Sequence, residues 1–405
     1  MRPSFDNGEK WCVLAGLWGL YFCFGLGFTG IPPLVQPIQA SLELSPTQVG
    51  HILGSWQFVY MFCAIPCAYF MVRKEPLFAL TVAAILVLIS LVLRVFAQDY
   101  RTLLLTVALL GAAGPIISIG CPYLVGQMFD QRFFGFAMGA YVTAPALANM
   151  LTFSLSEPVL LPAFSGNWRP VLLFWAGFAG LFVLFWLIIP KHVAKNRDEL
   201  SSDAISIKGD RCFVATVCLV GILIFFVDHG YKSWLPEVVR HAGYSTAGVA
   251  ALSTVSIGMW LLALLLVPMM IVDTRSYNQV VFLLSGLLIA GSVGIATLQI
   301  GPAFVMACLA VGFSIGPLMT IGLMPIVGRK GMTGAAKIFV MALFFTAAEI
   351  GGTLGPVFFG STFDAHGNFD MAFWAFVVAA FLIPMLLIRP GKKLGQTQKA
   401  EESNA

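Results

Sequence analysis

"GPIISIGCPYLVG" (114–126) and "GPLMTIGLMPIVG" (316–328) are written on one template: Gly-Pro opens each, and glycine returns six and twelve residues later. Gly114, Gly120 and Gly126 thus reappear as Gly316, Gly322 and Gly328, at an offset of 202. Pro66 and Arg73 return as Pro268 and Arg275 at the same offset, and Gly27, Phe28 and Pro33 match Gly230, Tyr231 and Pro236 at 203. Glycine and proline are common in membrane helices, so one coincidence carries nothing. Matches spread along one helix, at the offset that also relates another pair, mark an internal repeat.

The surroundings fix what repeats. Of 405 residues, 59% are hydrophobic and 10% charged, with mean hydropathy +0.89, far from a soluble globular profile. About 20 apolar residues cross the hydrocarbon as a helix. Twelve such runs follow at 12–36, 47–72, 77–97, 102–127, 133–156, 168–190, 212–236, 246–272, 277–298, 302–328, 334–362 and 370–389. Several exceed 20 residues, which predicts tilted or kinked helices. The first run is long and lacks an A-x-A-like end, so it reads as a span rather than a cleaved signal.

The fold class expected is therefore an all-α membrane protein, with twelve transmembrane helices in two six-helix bundles related by a parallel, pseudo-two-fold repeat. The first bundle takes residues 1–190 and the second 212–389, joined by the polar linker "KHVAKNRDELSSDAISIKGDR" (191–211) and followed by a tail at 390–405. Parallel repeats put a pathway at the interface between them. Of 23 basic residues, only Arg94, Arg101, Arg169, Lys232 and Arg240 fall opposite the N-terminus, which leaves 18 on its side. Both termini are then expected in the cytoplasm. The +4 net charge needs no nucleic-acid partner.

Eight cysteines lie in or beside spans without a Cys-x-x-Cys pair, and the histidines form no His-Glu-x-x-His motif. Neither a metal nor a cofactor is implied, and an enzyme is not expected. No Gly-x-x-x-x-Gly-Lys-Ser/Thr loop is present to hold ATP.

Ionisable groups within spans face protein or water. "FFVDHGYKSWLP" (225–236) carries Asp228, His229 and Lys232. Asp228 and Lys232 stand four apart, acid before base, in the favourable order for a helical pair. Pro236 is expected to end or kink that span. In the first half Gly25 and Thr29 occupy the matching positions, which favours a pathway role for the pair, a structural ion pair being the alternative. Glu349, in "AAEIGGTLGPVFFG" (347–360), reads as a protonatable coupling site or as a hydrogen-bonded group in a close helix contact. The predicted substrate-binding set is Asp228, Tyr231, Lys232, Trp234, Tyr141, Asn149, Phe28, Thr29 and Gln57. The proton-coupling set is Glu349, Asp228 and His229.

In these features the chain resembles the major facilitator superfamily. That family's loop signature, Gly-x-x-x-Asp-Arg/Lys-x-Gly, survives in part as "PMMIVDTR" (268–275), with Met269 at the glycine position. In "PCAYFMVRK" (66–74) Met71 replaces the acid, and in "FDQRFFGFAMGAY" (129–141) Phe134 stands where an arginine usually precedes Gly135. The resemblance implies a cytoplasmic gate in the second half only: Asp273, with Arg275 beside it, clasping Arg329 or Lys330. "GPIISIGCPYLVGQMFD", "MGAYVTAPALANM", "DHGYKSWLPEVVRHAGYS" and "EIGGTLGPVFFG" look most like the cyanate and nitroimidazole-type permease branch. It implies a secondary active transporter, monomeric in a bacterial inner membrane, moving a small polar or charged organic solute with protons by alternating access. A multidrug exporter and a non-transporting nutrient sensor are the alternatives. "TAPALANM" (143–150), in place of a glycine-rich Gly-Pro motif, weighs against the exporter. A short tail weighs against the sensor.

Overall fold

The computed structural model describes residues 7–73, 76–129, 131–189, 210–329 and 332–388. They form twelve helical spans: α1 (Gly8–Leu42), α2 (Pro46–Met71), α3 (Pro76–Val95), α4 (Tyr100–Met128), α5 (Phe133–Ala163), α6 (Trp168–Ile188), α7 (Arg211–His241), α8 (Thr246–Met270), α9 (Thr274–Thr297), α10 (Pro302–Val327), α11 (Phe339–His366) and α12 (Asp370–Leu387). Helices suit the hydrocarbon because they satisfy their own backbone hydrogen bonds. The protein is an integral, multi-pass membrane protein. Most of the linker, the tail and Lys330 lie outside the described residues.

Helix starts are set by short polar signals between the apolar runs. Ser45 and Gln48 exchange backbone and side-chain hydrogen bonds (2.9 and 3.2 Å) at the head of α2, a capping box. Asp99 with Thr102 opens α4 the same way, and Asp273 with Ser276 opens α9. Backbone N–H donation from Thr102 and Ser276 holds the exposed Asp99 and Asp273 carboxyls below the usual carboxylate range. At the other ends, Gly243 and Gly367 take positive φ of 96° and 71° where chains leave α7 and α11.

Two prolines treat their helices differently. In α1 the first helical segment stops at Thr29, and a 3₁₀ turn at Pro32–Leu34 follows. Pro32 and Pro33 together remove two consecutive backbone donors. In α7, Pro236 stands inside one continuous helix, Arg211–His241. The helix does not end at Pro236 but runs on to His241, and Pro33 and Pro236 have no common local structure.

The repeat is visible in packing. Gly114 of α4 lies against Tyr60 of α2, and Gly316 of α10 lies against the Trp260 backbone of α8. The fourth span of each bundle thus presses a glycine onto the second, and the two glycines are the ones the offset relates. An ideal Cβ on either glycine would meet those neighbours too closely to be accommodated.

The bundles join most closely where α2 runs antiparallel to α11. A Cβ on Gly50 would lie 2.6 Å from the Pro356 carbonyl oxygen, and one on Gly54 would lie 2.7 Å from that of Thr353. Gly360 presses on the Pro46 carbonyl in turn. Gly351 and Gly355 face the other way, onto the α7 backbone at Ile222 and Phe226. Helix α11 is thus wedged between the first bundle and α7, with small residues permitting both contacts.

Candidate functional site

Asp228, His229 and Lys232 face the junction of the two bundles from α7, and the continuity of that helix through Pro236 holds them there. Lys232 Nζ lies 2.5 Å from Asp228 Oδ2. Trp260 of α8 donates its indole N–H to Asp228 Oδ1 at 2.9 Å, and the Lys232 ammonium sits 4.6 Å from the Trp260 ring centre. Both charges are therefore partnered, as burial demands. His229 Nε2 is 3.9 Å from Asp228 Oδ2, and the imidazole meets the Trp56 ring edge-on at 5.5 Å. Trp56 stacks on Phe28 at 5.3 Å, so residues from both bundles build one aromatic wall.

Beside it lies a polar cluster of a different kind. Glu349 is 4% exposed and Gln57 wholly buried. Around Gly352, an ideal Cβ would meet Gln57 Cγ at 3.1 Å, Glu349 Oε2 at 3.2 Å and His229 Cδ2 at 3.2 Å. The missing side chain lets the three groups share one place. Glu349 Oε2 and both polar atoms of the Gln57 amide have no hydrogen-bond partner in the protein, which is unusual for buried polar atoms. Gln57 comes from the first bundle, and Glu349 and His229 from the second.

Other residues expected at the site are placed differently. Tyr231 donates its hydroxyl to the Cys308 carbonyl at 2.7 Å and shares a 2.8 Å hydrogen bond with Ser256, inside the second bundle. Trp234, six residues beyond Asp228 and so about 240° round the helix, donates to the Pro356 carbonyl at 2.9 Å. Both hydroxyl and indole are thus engaged within the second bundle, away from the side on which Asp228 meets Trp260: closeness along the chain did not give them the azimuth of Asp228. Thr29 turns its hydroxyl back onto the Gly25 carbonyl at 2.9 Å. Tyr141 stacks on Tyr21 of α1 at 5.6 Å, and Asn149 of α5 is buried with Oδ1 unpartnered.

Of the expected clasp, Asp273 and Arg329 are engaged elsewhere in this conformation, and Lys330 lies outside the described residues. The Asp273 carboxylate accepts from Ser276 N and Oγ, both at 2.7 Å, while Arg329 pairs with Asp210 at 2.5 Å. The first interaction stays within the second half, and the second ties that half to the end of the linker. Arg275 lies in the first turn of α9, and Met71 lies against Gly120 inside the first bundle.

Ionisable residues outside the predicted sets matter at two places. Opposite the termini, Arg240 of α7 pairs across the junction with Glu157 of α5 at 2.6 Å and along its own helix with Glu237 at 3.4 Å. Nearby, Thr47 of α2 donates its backbone N–H to Asp364 of α11 at 2.8 Å. A 340 Å³ cavity flanks this closure, lined by Gln36, Gln39, Trp234, Glu237, Arg240 and His241. The second place is inside the first bundle, where Arg94 is 0% exposed. Its guanidinium donates to the Gly27 carbonyl near the end of the first helical segment and to Ser90 Oγ at 2.9 Å. In sequence, acid and base at neighbouring span ends were the only signal for the Arg240 cluster. Arg94 gave none, since an arginine at a span end ordinarily snorkels to water.

Three solved structures share this fold across nearly the whole chain. A bacterial homolog of the human lysosomal transporter Spinster, in an inward-facing and occupied conformation, matches at 17% identity and TM-score 0.69, over 95% of this chain and 96% of that one. A variant of the nucleoside transporter NupG matches at 13% identity and TM-score 0.75 (94% and 98%). A D-xylose-proton symporter matches at 16% identity and TM-score 0.70 (96% and 99%). A search of curated proteins gave no match. The model of the Major Facilitator Superfamily matches residues 17–336, most of a chain whose bundles repeat as described above, and the protein belongs to that superfamily.

Proposed function

We propose that the protein is a secondary active transporter that moves a small polar organic solute through the junction of its two bundles, coupled to protons. The observation that carries this reading is Glu349: a buried carboxyl with an unpartnered oxygen, on the wall between the halves, beside an ion pair already complete in itself. An acid so placed takes up and releases a proton as its exposure alternates. The proton-coupled sugar symporter among the structures of the same fold supports the reading by analogy. With 18 of 23 basic residues on the side of the termini, the termini are assigned to the cytoplasm and the Glu157–Arg240 closure to the outside. The conformation described is then closed outward.

Glu349→Gln tests the coupling. It keeps the shape of the protonated acid, so substrate exchange across proteoliposomes should persist while proton-driven accumulation stops. Accumulation against a gradient in this variant would remove Glu349 from the coupling role.

A further inference from the structure

We infer that the solute is neutral or cationic and presents adjacent hydrogen-bond donors, which it gives to the Gln57 amide oxygen and the Glu349 carboxyl, and that organic anions of the same shape are refused. This rests on the reading that the junction of the bundles binds the transported solute.

The first support is the allocation of charge. Lys232 is held by Asp228 at 2.5 Å, and the other Asp228 oxygen is taken by Trp260. Arg240 lies between two glutamates at the closed face. Arg94 is committed to a backbone carbonyl and Ser90 inside the first bundle. Each of these cations is already engaged by a carboxylate or by neutral acceptors, although Arg94 Nε itself has no partner. An anion entering the junction would have to draw Lys232 from Asp228, leaving a buried carboxylate without its counter-charge. It would also lie near Glu349, a second source of repulsion in a medium that screens poorly.

The second support is the set of buried polar atoms without a protein partner. Gln57 Oε1 and Glu349 Oε2 accept, and Gln57 Nε2 donates. Gln57 and Glu349 are neighbours, since the Gln57 Cγ and the Glu349 Oε2 both border Gly352. The complement is a planar group with two or more N–H or O–H donors: an amide adds a carbonyl acceptor for Gln57 Nε2, whereas an amidinium only donates but brings a positive charge to the Glu349 carboxyl. Because Gln57 and Glu349 belong to different bundles, a solute that bonds both ties the bundles together. The stacked Phe28–Trp56 pair offers an apolar face for the remainder of such a molecule, and a ring cation there gains from the aromatic faces as well.

Three probes of one shape separate the possibilities: benzamidine, benzamide and benzoate, with acetamidine, acetamide and acetate as a smaller set. Binding is read as thermal stabilisation of the purified full-length protein over a concentration series. The amidines and amides should bind and the carboxylates should not. The preference for amidine over carboxylate should be about tenfold or more, the scale of one charge-assisted hydrogen bond. Glu349→Gln should shrink the advantage of amidine over amide. Gln57→Met, which keeps length without polar atoms, should weaken both. Equal or better binding of the carboxylates overturns the inference, as does no response to any probe in the wild-type protein. The panel reads binding alone, so a transport assay in which Glu349→Gln still accumulates solute counts against proton coupling and leaves this result standing.

Discussion

At the scale of single residues, Arg94 is costly to bury, since a guanidinium out of water depends on its hydrogen bonds and its Nε has no partner. Ser90 supplies one acceptor and itself donates to the Thr106 carbonyl at 2.7 Å. Ser90→Ala should therefore lose about 1–3 kcal/mol of stability in denaturant unfolding, the penalty of a stranded buried partner. Adding Arg94→Met should recover part of that loss, because it removes the stranded charge; a purely additive double mutant would show that the two side chains are uncoupled. Asp273 makes a contrasting case. It serves as a cap, and asparagine caps as well as aspartate. Asp273→Asn should leave hydrogen exchange at residues 274–277 unchanged, whereas Asp273→Ala should speed it. The carboxyl is held below its ordinary range in the folded state. The stabilisation it gives is thus present above the usual carboxylate pKa and is lost as pH falls through the lower folded value.

At the scale of elements, the closed face depends on one arginine shared by two acids that should act oppositely. Glu157 reaches Arg240 across the junction, so Glu157→Gln removes a tie and should favour separation of α5 from α7. Glu237 shares the helix of Arg240 and competes with Glu157 for its guanidinium. Glu237→Gln leaves a balanced pair and should favour closure. Distances between spin labels in the 43–45 and 242–245 loops should lengthen in the first variant and shorten or sharpen in the second. Equal shifts in one direction would refute the division of roles. Much at this scale was legible in the sequence: the twelve runs match the spans to within a few residues at most ends, and the spaced glycines of 114–126 and 316–328 mark where helices touch through backbone. Proline was not. Its effect depends on whether the lost hydrogen bond is single, as at Pro236, or doubled, as at Pro32 and Pro33, and on how neighbours compensate.

At the scale of the whole molecule, the site draws on both bundles, and this explains which parts of it could be foreseen. Asp228, Lys232, His229, Gln57 and Glu349 stand out as polar letters in apolar runs, because burying them requires a reason. Trp260 and Trp56, by contrast, are aromatics among many, and only the packing of α8 and α2 against α7 selects them. Tyr231 and Trp234 carried the same letters and turned the other way. The ion pair offers a test of the assembled site. Asp228→Asn and Lys232→Met should each damage uptake severely by stranding the other charge. The double variant should fold normally and stay inactive if the pair belongs to the pathway, and recovered uptake would return it to a structural role. The glycine seam between α2 and α11 has a mechanical meaning of its own. Its notches are spaced about one helical turn apart, with the Pro356 and Thr353 carbonyls seated in those at Gly50 and Gly54. Sliding by a single residue, about 1.5 Å, would lift each carbonyl out of its notch and onto a neighbouring side chain. Such a ratchet resists shear along its length yet can peel from one end, so the bundles should part by rocking about the Gly54–Thr353 contact, with Gly360 and Pro46 the first to separate.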